Sequence, residues 1–191
     1  MESKWMKLSL AVFIILALSL SAALTLAEEQ PAAAETKAPA YVGSSKCKMC
    51  HMGEKKGLMW EIWLESKHSK AMASLSAEKG EDKDPKCLKC HTTGYGAGGY
   101  GAEGMEEAMA APEVWGAVGC ESCHGPGSEY KSLKVMKDRD AAVKAGLWLP
   151  DEATCTKCHN EESPTFQGFN YEEMLAKIAH KLPAAPAEKG Q

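Results

Sequence analysis

The sequence predicts a mainly α-helical domain with little β structure, and three observations lead to this prediction. Apolar residues recur at helical spacing in residues 57–79, 129–145 and 171–182. No convincing run of alternating β-branched residues, which would indicate strands, occurs in the chain. Residues 92–104 hold six glycines in thirteen positions and can bury little side-chain surface. We therefore expect helices joined by loops around a thin polypeptide core.

The three predicted helices differ in how clearly their ends are marked. The first, residues 57–79, is predicted from its content of Met, Trp, Leu and Ala. The second, residues 129–145, is followed by Gly146, which suits the position just beyond a helix end. The third, residues 171–182, is preceded by Asn170, a residue type that often caps the first backbone N–H groups of a helix.

A Cys-x-x-Cys-His motif occurs four times and uses all eight cysteines of the chain. This motif is the attachment signal for c-type haem. Its two thiols, on one helical turn, add to the porphyrin vinyl groups, and the adjoining histidine binds the iron as the proximal ligand. The chain therefore predicts four covalently attached haem c groups. The motif residues are Cys47, Cys50 and His51; Cys87, Cys90 and His91; Cys120, Cys123 and His124; and Cys155, Cys158 and His159.

Two other uses of paired cysteines are possible in principle, namely zinc sites and disulfides. Neither of them requires a histidine directly after every second cysteine, so the haem interpretation is favoured. Four porphyrins would supply much of the apolar interior that the thin polypeptide core lacks. The expected fold is a compact multihaem cytochrome c domain that depends on its cofactors for folding.

The first 27 residues have the pattern of a signal peptide. Lys4 and Lys7 precede an almost continuously apolar stretch at residues 8–26, and residues 25–27 form a small-x-small cleavage site. The alternative is an uncleaved membrane anchor, because the apolar stretch is near the lower length limit of a spanning helix. Either alternative places the rest of the chain in the periplasm or another exported compartment.

Two further segments are expected to lack a packed structure. Residues 28–40 consist largely of alanine, proline and charged residues, which is typical of a disordered linker. Residues 183–191 have a similar composition and predict a disordered tail. Residues 41–182 remain as a single tetrahaem cytochrome domain.

The charge balance restricts the class of partner. The chain has 22 basic and 26 acidic residues, and removal of residues 1–27 would leave 20 and 25, a net charge of −5. Haem propionates would make the protein more acidic still, which argues against a nucleic-acid partner. We expect periplasmic or membrane redox proteins with basic docking patches as electron donor and acceptor. Membrane attachment is expected only if the N-terminal segment stays uncleaved.

Only two histidines, His68 and His180, remain outside the motifs, so four bis-histidine haems are impossible within one chain. On the predicted first helix, His68 shares a face with Leu64 and Met72, which suggests either an iron ligand or a core histidine with a hydrogen-bond partner. His180 lies nearly opposite the apolar side of the last helix, marked by Leu175. It is therefore either solvated or in contact with a haem on a second face.

One run of residues resembles a known family. Residues 119–127, Gly-Cys-Glu-Ser-Cys-His-Gly-Pro-Gly, together with Trp63 and His-Ser-Lys-Ala-Met at residues 68–72, resemble the tetrahaem cytochrome c-554 family. The resemblance extends over most of residues 41–180. It implies a mainly helical electron-transfer protein with haems stacked in closely spaced pairs.

The resemblance also implies axial ligands for the haem irons. In the family, the histidine in the position of His68 is expected to ligate the third haem, here the one on Cys120 and Cys123. A C-terminal histidine, here His180, is expected to ligate the fourth haem. The second haem, on Cys87 and Cys90, is expected to be five-coordinate.

The sequence departs from the family pattern at the first haem. The family supplies its sixth ligand with a histidine shortly after the Gly-Pro-Gly, and this chain has none there. Met136 is the leading substitute, followed by Lys134. The alternative for Met136 is ordinary packing, because Leu133 and Val143 share its face of the predicted helix. A methionine ligand would raise the potential of that haem relative to a bis-histidine haem.

These observations predict an exported tetrahaem c-type cytochrome that carries electrons between redox partners through a chain of haems. No catalytic residue is assigned, and the protein is expected to act as a carrier rather than an enzyme. The alternative is a reductase of a small ligand, such as nitric oxide, hydroxylamine or nitrite, at a five-coordinate haem. A third interpretation is a subunit of an extracellular haem filament.

Overall fold

The structure is a computed structural model that describes residues 38–102 and 115–180. Short helices and turns make up these residues, and no strand occurs among them, so the prediction of a mainly α-helical fold is confirmed. The predicted signal peptide, most of the predicted linker and the predicted tail lie outside the described residues. The described helices, in chain order, are α1 (Ser44–His51), α2 (Met59–Glu65), α3 (Pro85–His91), α4 (Cys120–His124), α5 (Leu133–Met136), α6 (Arg139–Lys144), α7 (Glu152–Thr156) and α8 (Tyr171–Ile178).

The predicted helix at residues 57–79 is wrong, because α2 ends at Glu65 and is followed by the short 3-10 helices His68–Lys70 and Met72–Ser74. Serine hydroxyls account for the interruption. The Oγ of Ser66 donates to the carbonyl of Trp63 at 2.6 Å, and the backbone of Ser66 is extended. Serine side chains that bond nearby backbone groups compete with helix continuation. His68 therefore does not lie on a helix face with Leu64, which is 49% exposed.

The predicted helix at residues 129–145 is also divided, into α5 and α6. Asp138 separates the two, because its side chain accepts a hydrogen bond from the backbone N–H of Ala141 at 3.1 Å and so caps α6. The predicted role of Gly146 is confirmed. Gly146 has φ 99° and donates to the carbonyl of Val143, and the next N–H donates to Ala142. These two bonds form a Schellman motif.

The last predicted helix begins where expected and ends early. Asn170 caps it by accepting the backbone N–H of Glu173 at 3.1 Å, which confirms the predicted start. The helix ends at Ile178, and Ala179 is already extended. His180 therefore lies beyond the helix. The prediction that it lies opposite Leu175 on the face of that helix is wrong.

Few side chains form the core of the described residues. The buried apolar residues are Trp63, Leu88, Trp115, Ala117, Tyr130 and Ala142. Other large apolar side chains are exposed, for example Leu133 at 62% and Trp148 at 42%. Helix α1 packs against α2 and α4, which brings the first and third motifs together. None of the described helices has both the length and the apolar composition that a membrane span requires.

Candidate haem-binding site

Three of the four motifs end a helix with their histidine. His51, His91 and His124 are the last residues of α1, α3 and α4. In the fourth motif α7 ends at Thr156, and His159 follows in a turn in which its N–H donates to the carbonyl of Cys155 at 3.0 Å. The two cysteines of each motif thus lie about one turn apart, the separation that two thioether bonds to one porphyrin require.

The cysteines of different motifs meet in pairs. The thiol of Cys47 lies beside that of Cys120, which together with burial raises the pKa of Cys47. Burial and the neighbouring Cys90 raise the pKa of Cys158 to about 12. The first motif therefore adjoins the third, and the second adjoins the fourth. This arrangement fits the expectation of closely spaced haem pairs.

His68 faces the histidine of the fourth motif. The ring centroids of His68 and His159 lie 6.0 Å apart. Imidazole nitrogens bind metal ions at about 2.0–2.1 Å, so two rings on opposite sides of one ion have centroids roughly 6 Å apart. Burial lowers the pKa of His68, and the nearby His159 lowers it further, which favours the neutral ring that a metal ligand requires.

His180 faces the histidine of the third motif in the same way. The ring centroids of His124 and His180 are also 6.0 Å apart. The Nδ1 of His180 is buried and has no hydrogen-bond partner among the described residues. Burial lowers the pKa of His124. The residues present therefore fit an iron held between these two rings.

The ring contacts in these two pairs differ from the ligand pairs expected from the resemblance. His68 was expected at the third haem and His180 at the fourth, but the structure places His68 at the fourth motif and His180 at the third. Sequence spacing does not indicate which of the two histidines faces which motif. The ring that faces each histidine depends on how distant segments pack.

Two motif histidines are oriented by backbone carbonyls. The Nδ1 of His91 lies 2.7 Å from the carbonyl oxygen of Ala71. The Nδ1 of His124 lies 3.1 Å from the carbonyl oxygen of Trp148, whose own N–H donates back to the carbonyl of His124 at 2.9 Å. A carbonyl only accepts, so Nδ1 carries the proton in both contacts. Nε2 is left to bind a metal, which is the usual arrangement of a metal-ligating histidine.

The histidines of the first two motifs have no second histidine available, because all six histidines of the chain are accounted for by the pairs and motifs above. Met136 ends α5 and is half-buried, and its role as a ligand remains a prediction. The alternative of ordinary packing assumed that Met136 shares one helix face with Leu133 and Val143, and this assumption is wrong in part. Val143 belongs to a separate helix, and Leu133 is 62% exposed.

Sequence reasoning missed a buried carboxylate inside the third motif. Glu121 is fully buried and accepts backbone N–H groups from Val42 at 2.9 Å, Gly43 at 2.7 Å and Gly127 at 2.7 Å. Desolvation raises the pKa of Glu121, and these hydrogen bonds oppose the shift. The carboxylate therefore ties the segment before α1 to the Gly-Pro-Gly turn. Its place between the two cysteines was visible in the sequence, but its burial was not.

Thr93 is a second residue whose role was not expected, since it lies in the glycine-rich segment. Its hydroxyl donates to the carbonyl of Ala117 at 2.7 Å and accepts the N–H of Gly119 at 2.9 Å. Ser44, at the start of α1, accepts the N–H of Cys120 at 3.3 Å. The hydroxyl of Ser44 ties the third motif to the first, and that of Thr93 ties the third motif to the segment after the second.

The sequence and the structure of the chain are both similar to those of known proteins. The family described as "Cytochrome c554 and c-prime" matches residues 46–125, which include the first three motifs. The chain is 31% identical over 185 residues to cytochrome c-554 of Nitrosomonas europaea, covering 82% of this chain and 72% of that protein. The structure is similar to that of reduced cytochrome c554 from Nitrosomonas europaea. The TM-score is 0.54 at 26% identity, over 75% of this chain and 86% of the other.

Proposed function

Given that the chain belongs to the cytochrome c-554 family, we propose that it is an exported tetrahaem electron carrier that passes electrons between two redox proteins. Family membership establishes the coarser statement, a c-type cytochrome with covalently bound haem that transfers electrons and has redox proteins as partners. The number of haems, their ligands and the compartment are the proposal.

The two facing histidine pairs carry the proposal. We assign His68 and His159 to the fourth haem and His180 and His124 to the third, because each pair has the ring separation of two ligands to one iron. When bound, haem supplies the reversible one-electron chemistry of its iron. The task of the side chains is to hold, orient and desolvate the groups. No acid–base residue is required.

The first and second haems are assigned His51 and His91 as their only histidine ligands. For the first haem, Met136 is the proposed sixth ligand, with Lys134 as the second candidate. The second haem is proposed to be five-coordinate. The histidine count supports this assignment, since six histidines provide two pairs and two single ligands.

A second candidate function follows from the same count. An iron without a strong sixth ligand can bind small molecules, and the proposed second haem would then reduce nitric oxide, hydroxylamine or nitrite. Catalysis would also need turnover and a route for protons. The carrier function is preferred because it requires no acid–base residue and agrees with the electron transfer that family membership supports.

The test is a mass and spectroscopic count on the exported protein. Mass spectrometry should show four haems on a chain that begins near Glu28. Low-temperature electron paramagnetic resonance (EPR) should show two histidine-pair low-spin haems and at least one high-spin haem. Bound zinc, disulfides or fewer than four haems would overturn the proposal. Retention of residues 1–27 would overturn only the prediction that the signal peptide is cleaved.

A further inference from the structure

We propose that Met59 is a positioning residue for His51 and gives the first haem a weaker proximal ligand than the second and third haems have. The inference rests on the proposed function, in which the Nε2 of His51 binds the iron of the haem on Cys47 and Cys50. As a consequence, this haem has a higher reduction potential than it would have if a carbonyl oxygen, in place of the sulfur of Met59, accepted the hydrogen bond from His51.

The contact that carries the inference is the one between Met59 and the imidazole. The Sδ of Met59 lies 3.1 Å from the Nδ1 of His51. A thioether sulfur is only an acceptor, and a weak one, so Nδ1–H donates to it. The corresponding nitrogens of His91 and His124 face backbone carbonyl oxygens, which are strong acceptors.

The strength of this acceptor matters to the iron. A strong acceptor at Nδ1 draws the proton away from the ring and makes Nε2 a better donor, which favours oxidised iron. A weak acceptor leaves the ring a poorer donor and favours reduced iron. Hydrogen bonding around the ligands is one of the means by which a protein sets a haem potential.

The backbone holds Met59 in this place. Leu58 lies directly before α2 and has φ 53°. Among the described residues it is the one non-glycine residue with a positive φ. Its N–H donates to the carbonyl of Gly53 at 3.2 Å, and the N–H of Gly53 donates to the carboxylate of Glu61 at 2.9 Å. A left-handed conformation at leucine is strained and persists only where surrounding contacts enforce it. These contacts close the loop between the first motif and α2.

Met59 is not a candidate for the sixth ligand of the same iron. A sixth ligand binds the face of the haem opposite the proximal ring. The Sδ of Met59 lies at the Nδ1 edge of His51, on the proximal side and away from Nε2. Its role is therefore distinct from the one proposed for Met136.

The test compares Met59→Gln and Met59→Leu in the holoprotein by spectropotentiometric titration, with low-temperature EPR spectra of the oxidised protein. Met59→Gln introduces a strong carbonyl acceptor, so one of the four midpoint potentials should fall and the EPR g values of one haem should shift. Met59→Leu removes the acceptor at nearly the same size, so the same potential should stay equal or rise. Met49→Gln and Met49→Leu are the controls, since Met49 lies in the same motif and is 74% exposed.

The two failures can be told apart. If peptide mapping finds no haem on Cys47 and Cys50 in the wild-type protein, the proposed function fails. If that haem is present and its potential and EPR g values are the same in the glutamine and leucine variants, the inference about Met59 is overturned. Equal shifts in all four potentials would also overturn it, because they would indicate a general structural change.

Discussion

The imidazole of His68 faces that of His159, with 6.0 Å between ring centroids, although 91 positions separate them in the chain. The ring of Phe169 stacks on His159 at 4.8 Å, so the facing ring is held from a third segment. This geometry makes His68 the proposed ligand of the fourth haem rather than the third.

His68→Ala should keep four covalent haems, because attachment requires only the motifs. It should convert one low-spin haem to high-spin, since the iron loses a strong ligand, and EPR would detect the change. In a Cys155→Ser, Cys158→Ser background, which lacks the fourth haem, the same substitution should have no effect on the remaining low-spin signals. Lys67→Ala, at an exposed neighbour, is the control. An unchanged spectrum would show that His68 is not a ligand.

His180→Ala should convert the other histidine-pair haem. Its effect should disappear in a Cys120→Ser, Cys123→Ser background, because His180 faces His124. Persistence of the effect in that background would return His180 to the fourth haem. Lys177→Ala provides the control. Lys177 lies on the exposed side of α8, and its ammonium group pairs with the carboxylate of Glu173 at 2.7 Å.

The haem on Cys87 and Cys90 should give a high-spin ferric signal in the resting protein, because no histidine is available as its sixth ligand. After reduction it should bind nitric oxide, which optical and EPR spectra would detect. Steady reduction of nitric oxide with an added electron donor would favour the reductase. Four low-spin haems that bind no small ligand would contradict the ligand assignment.

Glu121→Ala should destabilise the holoprotein by about 3–5 kcal/mol, because it leaves three backbone N–H groups buried without their charged acceptor. The measurement is denaturant unfolding followed by tryptophan fluorescence. Glu129→Ala, at an exposed carboxylate two positions after Gly127, should change stability by less than about 0.5 kcal/mol. Equal effects of the two substitutions would mean that the buried carboxylate contributes nothing specific.

Gly119→Ala should lower stability by about 1–3 kcal/mol, because the new methyl group enters a filled site. A Cβ at this position would overlap the hydroxyl of Ser44 and lie 2.9 Å from that of Thr93. The substitution Ser44→Ala should recover part of the loss when combined with Gly119→Ala. No recovery in the double variant would show that the hydroxyl of Ser44 is not the obstacle.

Local patterns were enough to determine several features. Cys-x-x-Cys-His is a contiguous chemical signal, so the haem-binding cysteines and proximal histidines could be predicted without a structure. Asn170 and Gly146 act on backbone groups within a few residues, and both were predicted correctly. The absence of alternating β-branched runs was likewise sufficient for the mainly α-helical class.

Tertiary structure decided the features that depend on distant segments. The break after α2 follows from serine hydroxyls that compete with the helix, and helical periodicity alone does not weigh that competition. The burial of Glu121 depends on residues 42, 43 and 127 closing around it. The partners of His68 and His180 depend on which turns pack opposite them. A histidine's residue type makes it a possible iron ligand, but only the folded chain determines which iron it can reach.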